Sequence, residues 1–420
     1  MMYSELFKNF AKLFSANVIA QLIGIVIYPI LTRIYLPEDF GLLNLFLSIG
    51  GVLTILATAE YHNSVLLPET DSKAIACVWV CVVVALLVSA VSALSIPFAP
   101  YLESMFNIQH LSICLIFLPV YVLFMALWNV LNMWYTRQGA FNAVCGYQLS
   151  KSSLSASLKW LFSLFSVSSA VLIFASVVGT VVPFVANLFA HWKRNCCLLS
   201  VKWNDIRSAA IQYANFPKFT LPQTLVNYVS GNISIFVLSP YFSMAEVGFY
   251  SMAQTLAFQP ICMISASVYQ VLFNKLTQMK KSSQMIAPFV RGFIGRLSLV
   301  VIPFFVILFF IVQPVCSFLL GDVWVRSGVF IQIMLPWIAM SLITGCLSFI
   351  PDVYGFQKQA MFIEVVYFIL RLLALGYGVF CNDIVLAVGL NSAIASVVFV
   401  CQIYWYYSIC RREDAKSLNA

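Results

Sequence analysis

The stretch Ala74–Pro97, AIACVWVCVVVALLVSAVSALSIP, holds 24 consecutive residues without a single charge. Wound as a helix it would be about 36 Å long, more than the roughly 30 Å hydrocarbon core of a bilayer. Such a segment reads as a membrane span. Similar apolar runs, bounded by charge or turn clusters, lie at 13–34, 40–59, 111–135, 142–165, 168–190, 219–240, 246–270, 293–320, 328–350, 360–380 and 383–407. The chain is 62% hydrophobic and 9% charged, against about 25% charged in soluble domains, so almost nothing remains for a soluble domain. A membrane β-barrel would show alternating segments of about ten residues, and none is seen. The expected fold is an all-α integral membrane protein of about twelve transmembrane helices.

Orientation follows from Lys and Arg, which are enriched in cytoplasmic loops. With the N-terminus in the cytoplasm, that side receives Lys8, Lys12, Lys73, Arg137, Lys193, Arg194, Lys202, Arg207, Lys218, Lys275, Lys280, Lys281, Arg291, Lys358, Arg411, Arg412 and Lys416, and the opposite side only Arg33 and Arg326. Both termini are therefore expected in the cytoplasm. The net charge of +8 is then a topology signal and calls for no nucleic-acid partner, the basic loops 191–218 and 271–291 being contacts for anionic membrane lipids. Lys8 and Lys12 precede a span too long for a signal-peptide core, so that span is expected to be retained. Most cysteines (Cys77, Cys81, Cys114, Cys262, Cys316, Cys346, Cys401) fall inside apolar segments as small hydrophobes, and the one close pair, Cys196-Cys197, is adjacent and bridges poorly. His62, His110 and His191 are far apart, so no metal site is expected.

The longest cytoplasmic loop leaves six spans on either side, which predicts an N-terminal lobe at 1–190, a linker at 191–218 and a C-terminal lobe at 219–420. Asn17, Gln21, Gly24 and Tyr28 recur at i, i+4, i+7 and i+11 on the first span, and Gln223, Asn227, Ser230 and Ser234 repeat that spacing on the seventh. The following turns match as well, PEDFG at Pro37–Gly41 against MAEVG at Met244–Gly248. Two readings stay open: small and polar faces that any pair of membrane helices uses for packing, or two pseudo-equivalent lobes facing a central pathway, with prolines 29, 119, 183, 260, 303 and 336 as kinks.

Ionisable residues at depth cost roughly 2.5–3.5 kcal/mol each on the translocon scale, so they mark the chemistry. Lys151 and Lys159 belong to a stripe on the fifth span with Gln148, Ser152, Ser155 and Ser166, within about 100° of arc. Arg371 falls in the middle of the eleventh span, two turns beyond Glu364. Positive charge exceeds negative inside the spans, which points to a hydrated cationic cavity that holds an anion. Against this, Lys159 and Arg296 can snorkel to an interface, and Glu60 and Glu364 can form a proton or cation coupling site.

The segment LTRIYLPEDFGLLNL (Leu31–Leu45) resembles the first-loop signature of Wzx-type polysaccharide flippases, with a Thr-Arg exit, a Pro-acid pair and Phe-Gly. ANFPKF before the seventh span, EVGFYSMAQTLAFQP in the eighth and LLGDVWVRSG after the ninth are further landmarks, and the resemblance runs nearly the full length. It implies an O-antigen flippase of the multidrug/oligosaccharidyl-lipid/polysaccharide (MOP) exporter superfamily, two six-helix lobes around a cationic lumen, in the bacterial inner membrane. The implied substrate is an undecaprenyl-diphosphate-linked O-unit carried from cytoplasm to periplasm under an ion gradient, with the O-antigen polymerase and chain-length regulator as partners. No Walker-type loop is present and no cofactor is expected. Arg33 matches the family motif; Lys151, Lys159 and Arg371 rest on the charge argument, with Asn17, Gln21, Gln148, Ser155, Gln223 and Asn227 as polar lining. Two rivals are weighed. A membrane-embedded polymerase would carry a large external loop with acidic or arginine residues, whereas the longest, 98–110, offers Glu103 and His110. A multidrug or cation antiporter would carry acidic lobes.

Overall fold

The computed structural model describes residues 2–195, 198, 201–282 and 284–419, and their regular structure is entirely helical. Cys196-Cys197 lies outside the described residues, as do the side chains of Lys8, Lys193, Arg194, Lys281 and Lys416. The helices are α1 (Met2–Leu31), α2 (Pro37–Thr58), α3 (Asp71–Ala93), α4 (Ala99–Phe106), α5 (Leu111–Arg137), α6 (Phe141–Ser163), α7 (Ser169–Ala190), α8 (Trp192–Asn195), α9 (Trp203–Gln212), α10 (Leu221–Leu238), α11 (Met244–Lys281), α12 (Ala287–Leu320), α13 (Val325–Leu347), α14 (Ile350–Tyr354), α15 (Gln357–Phe380) and α16 (Ile384–Asn419). Helices are the natural solution because each backbone N–H and C=O is paired within its own segment, which lipid demands.

Among the described residues nine helical stretches are long and apolar enough to span a bilayer, those built on α2, α3, α5, α7, α11, α12, α13, α15 and α16. The chain is a multi-pass membrane protein. The remaining long helices, α1, α6 and α10, are the ones that carry the polar stripes singled out above. Two helices run past their expected ends. α11 continues to Lys281 because Leu272, Leu276 and Met279 keep a buried stripe at helical spacing beneath Lys275 and Lys280, and α16 continues likewise on Tyr406, Ile409 and Cys410.

The chain divides into two compact units, Met1–Gly248 and Phe249–Ala420. In the first, α10 and the start of α11 pack with the preceding helices. Tyr228 of α10 donates its hydroxyl to the Leu47 carbonyl at 3.4 Å, and the Ser48 hydroxyl donates to Asn232 at 3.3 Å. The segment 191–218 contains α9, whose Ile206 and Ala209 enter a core shared with Cys77, Cys81, Trp128, Trp134 and Tyr147. Trp128 stacks on Tyr147 with centroids 3.4 Å apart. Arg137 ties this end together, pairing with Asp71 at 3.0 Å and donating to the Pro68 carbonyl at 2.7 Å. At the other end, the four turns that the charge pattern assigns to the outer side surround one cavity of about 540 Å³, each turn contributing a wall residue: Leu36, Asn107, Ser168 and Phe242.

The repeated turn motifs meet at that outer end. Gly41 and Gly248 lie back to back: a Cβ on Gly41 would sit 3.0 Å from Gly248 N and inside contact distance of the Met244 carbonyl, and one on Gly248 would press on the Pro37 carbonyl. Only glycine lets the first turns of α2 and α11 approach this closely.

The second unit is built on an antiparallel α15–α16 pair. Glu364, Arg371 and Gly378 recur every seven residues along one face of α15 and meet α16 at Gln402, Asn391 and Ala387 in turn. α13 packs against α16 and supplies Trp337 to the same interior.

Candidate functional site

α6 lies against both α1 and α7, and its polar stripe divides between two duties. Ser152 donates to the Ala20 carbonyl on α1, and Ser155 abuts Gly179 on α7, where an added Cβ would stand 2.7 Å from the serine Cβ. Those serines let helices pack closely, which is the packing role of small residues in membranes. The lysines do otherwise. Lys151 and Lys159 are half-buried, and neither meets a carboxylate within ion-pair distance among the described residues. Lys151 Nζ stands 2.9 Å from Met125 Sδ on α5, a weak acceptor that leaves most of the ammonium's donor capacity unused. The backbone carbonyl of Lys159 accepts the Tyr35 hydroxyl at 2.8 Å, which fixes that end of α6 to the α1–α2 turn. Lys159 is eight residues beyond Lys151, a rise of about 12 Å along the helix backbone.

The expected lining residues are distributed over α1, α6 and α10. Asn17 and Gln21 are exposed on α1 and flank Ala20, the residue held by Ser152, while Gln148 is half-buried one turn before Lys151. Gln223 and Asn227 are exposed one turn apart on α10. Arg33 is exposed in the α1–α2 turn, the turn to which Tyr35 fixes the Lys159 end of α6.

Arg371 has a different setting. Only 4% exposed, it donates through Nε to Asn391 Oδ1 at 2.9 Å, and its guanidinium lies 5.6 Å from the Trp337 ring centroid and 5.3 Å from that of Tyr367. It knits α13, α15 and α16 together inside the second unit. Glu364 is exposed and accepts from Gln402 at 3.1 Å. Glu60 is buried in the turn after α2 and accepts the Asn63 amide at 2.7 Å. Burial pushes its carboxyl above the usual range, and the Asn63 hydrogen bond opposes that shift. The neighbouring His62 is lowered to about 4 by burial and is neutral at physiological pH. Arg296 is exposed near the start of α12.

Sequence reasoning missed Asn391 and Gln402, the partners of Arg371 and Glu364. Their signal was present, since both are amides inside an apolar last span, and a buried amide needs a partner. Among the described residues no group of three or more His, Cys, Asp and Glu side chains is placed to hold a metal.

Comparison with known proteins places this geometry in context. A family model described as polysaccharide biosynthesis protein matches residues 30–328. No curated protein matches the chain. Among solved structures, the lipid II flippase MurJ in an inward closed conformation aligns with a TM-score of 0.74 at 14% identity, covering 97% of this chain and 90% of that one. An inward-facing multidrug resistance MATE family transporter of the MOP superfamily aligns at 0.56 and 11% identity, over 97% of this chain and 95% of that one. A MOP superfamily transporter from Pyrococcus furiosus, described as having a binding pocket of reverse polarity, gives 0.55 and 12% identity over 98% and 96%. At these identities the likeness is one of fold, and it extends over the whole chain.

Proposed function

Since the chain belongs to the polysaccharide biosynthesis protein family, we propose that it flips undecaprenyl-diphosphate-linked O-antigen oligosaccharide units from the cytoplasmic to the periplasmic leaflet of the bacterial inner membrane. Alternating access coupled to an ion gradient drives the step in this reading. With α1, α6 and α10 counted as spans, the helices number about twelve. The observation that carries the proposal is the pair of half-buried, carboxylate-free lysines, Lys151 and Lys159, on a helix whose neighbour α1 shows Asn17 and Gln21. A diphosphate needs fixed positive charge at depth to leave water, and two lysines about 12 Å apart along the backbone of one helix give it successive places to rest. The amides offer hydrogen bonds to sugar hydroxyls, and the polyprenyl tail stays in the bilayer. A cation exporter would put carboxylates where these lysines stand. Glu60 and Glu364 are the coupling candidates, Glu60 being a buried carboxyl already biased towards its protonated form. Arg371 acts in this scheme from inside the second unit, holding the helices that carry the cycle.

The test is transport in proteoliposomes loaded with a lipid-diphosphate sugar, followed by its accessibility on the far leaflet to a periodate or lectin probe. Lys151→Gln with Lys159→Gln is expected to lower the rate at least tenfold at unchanged protein incorporation, with Lys151→Arg retaining most of it. Wild-type rates in the doubly neutral variant would remove the lysines from the pathway and the charge argument with them.

A further inference from the structure

A second cluster of unmatched positive charge lies in the other unit, where the first turns of α12 meet the last turns of α16. Together they border an open cavity of about 640 Å³, lined among others by Met285, Pro288, Arg291, Tyr407, Arg411 and Asp414. Its construction follows from helix spacing: Pro288 and Arg291 share one face of α12, and Tyr407, Arg411 and Asp414 fall at i, i+4 and i+7 on α16. Asp414 is the fastening. Only 6% exposed, its carboxylate accepts the backbone N–H groups of Ile286 at 3.0 Å and Ala287 at 2.7 Å, which spends its charge on capping α12 and pins the two helices together. Arg291 and Arg411 are left exposed at the rim, and neither pairs with a carboxylate among the described residues. Beyond Arg291 the same helix presents Leu299, Val300, Phe304 and Phe310, all more than half exposed, as an apolar face.

We propose that this cavity is a binding site for the phosphate headgroup of an anionic phospholipid of the cytoplasmic leaflet. The two guanidinium groups take the phosphate oxygens in their planar fork geometry, the Tyr407 hydroxyl adds a donor at the headgroup level, and the acyl chains run along the exposed face of α12. The charge pattern assigns this end of α12 and α16 to the cytoplasmic side, where anionic lipid meets basic residues. A neutral headgroup lacks the net charge that two arginines require. The site does not depend on the transport reading, because a bound phospholipid would hold α12 and α16 together whatever the protein carries.

The experiment uses the purified full-length protein, stripped of lipid and titrated with phosphatidylglycerol, phosphatidylcholine or inorganic phosphate, with retained lipid counted by native mass spectrometry and the melting temperature recorded. Phosphatidylglycerol is expected to bind and raise the melting temperature, and phosphatidylcholine to do neither. Arg291→Gln with Arg411→Gln should weaken phosphatidylglycerol binding about thirtyfold, since each basic residue near an anionic headgroup contributes about a factor of five. Arg291→Lys with Arg411→Lys should keep most of the affinity, which separates lost charge from lost folding. Equal retention of phosphatidylglycerol by the glutamine pair, equal binding of phosphatidylcholine, or full stabilisation by inorganic phosphate alone would each overturn the assignment.

Discussion

Gly41→Ala and Gly248→Ala probe the contact on which the outer end of the first unit closes. A methyl group on Gly41 meets Gly248 N at 3.0 Å and the Met244 carbonyl more closely, while one on Gly248 lies 3.2 Å from Gly41 N and presses on the Pro37 carbonyl. Every atom named is backbone, so no rotamer change relieves the clash. Restoring an ordinary separation of about 3.5 Å moves the first turns of α2 and α11 apart by about 1.5 Å. Overpacking of this kind typically costs 1–3 kcal/mol, and a penalty of about 2 kcal/mol shifts the balance between closed and separated forms about thirtyfold. Hydrogen exchange read by mass spectrometry on peptides spanning 241–252 should therefore show about thirtyfold less protection in either variant, with the core around Trp134 unchanged. The double variant should add little to either single one, because both methyl groups are accommodated by the same separation. On the function proposed above, the variants should also slow transport of a lipid-linked sugar. Unchanged exchange at 241–252, or fully additive effects, would refute the view that these glycines set the closeness of the two helices.

In the second unit, Asn391→Ala is expected to cost more stability than Arg371→Gln, about 3 against about 2 kcal/mol, because it strips an acceptor from a buried cation where the other change removes the cation itself; thermal unfolding in detergent ranks the two, and the reverse order would mean that Arg371 carries no buried charge of consequence. The pH response of Glu60 has a definite sign. Its folded-state carboxyl titrates above the ordinary value of 4.5, so its contribution to stability is complete below that pH and is lost as pH rises through the raised value. His62, lowered from 6.5 to about 4, contributes in the opposite sense, its share being lost as pH falls from 6.5 towards 4. Glu60→Gln should therefore be more stable than wild type at pH 7 and match it near pH 4, and melting curves for both across pH 4–8 isolate the carboxyl because His62 is common to them.

The all-helical, membrane-spanning character was legible because apolar length is set by the bilayer, and runs such as 74–97 and 111–135 have no competing interpretation. Helix ends were less so. Hydropathy ends α11 near residue 270, yet the helix persists to Lys281 on a buried Leu272, Leu276 and Met279 stripe, since an amphipathic extension looks polar on average. The segment 191–218 hides α9 for the same reason: two buried residues, Ile206 and Ala209, are too few to stand out among the lysines and arginines. The duplicated turns were visible as PEDFG and MAEVG, but no spacing rule says that two copies of a motif touch. That follows only from the missing side chains of Gly41 and Gly248.

Within the polar stripe of α6, the residues that sequence treats alike part company by size. A serine hydroxyl is satisfied by a carbonyl one helix away, as Ser152 is by Ala20, so a serine at depth speaks for helix packing. A lysine cannot be satisfied so cheaply: its ammonium needs several acceptors or water, and Lys151 has a thioether beside it. The same logic separates Arg371 from the lysines, since an amide acceptor and two aromatic faces give its guanidinium a settled interior. Charge at depth therefore indicates a ligand only where the structure withholds the partners that would neutralise it, and by that criterion the anion pathway we propose belongs on α6, where an arriving phosphate would supply what the protein has left out.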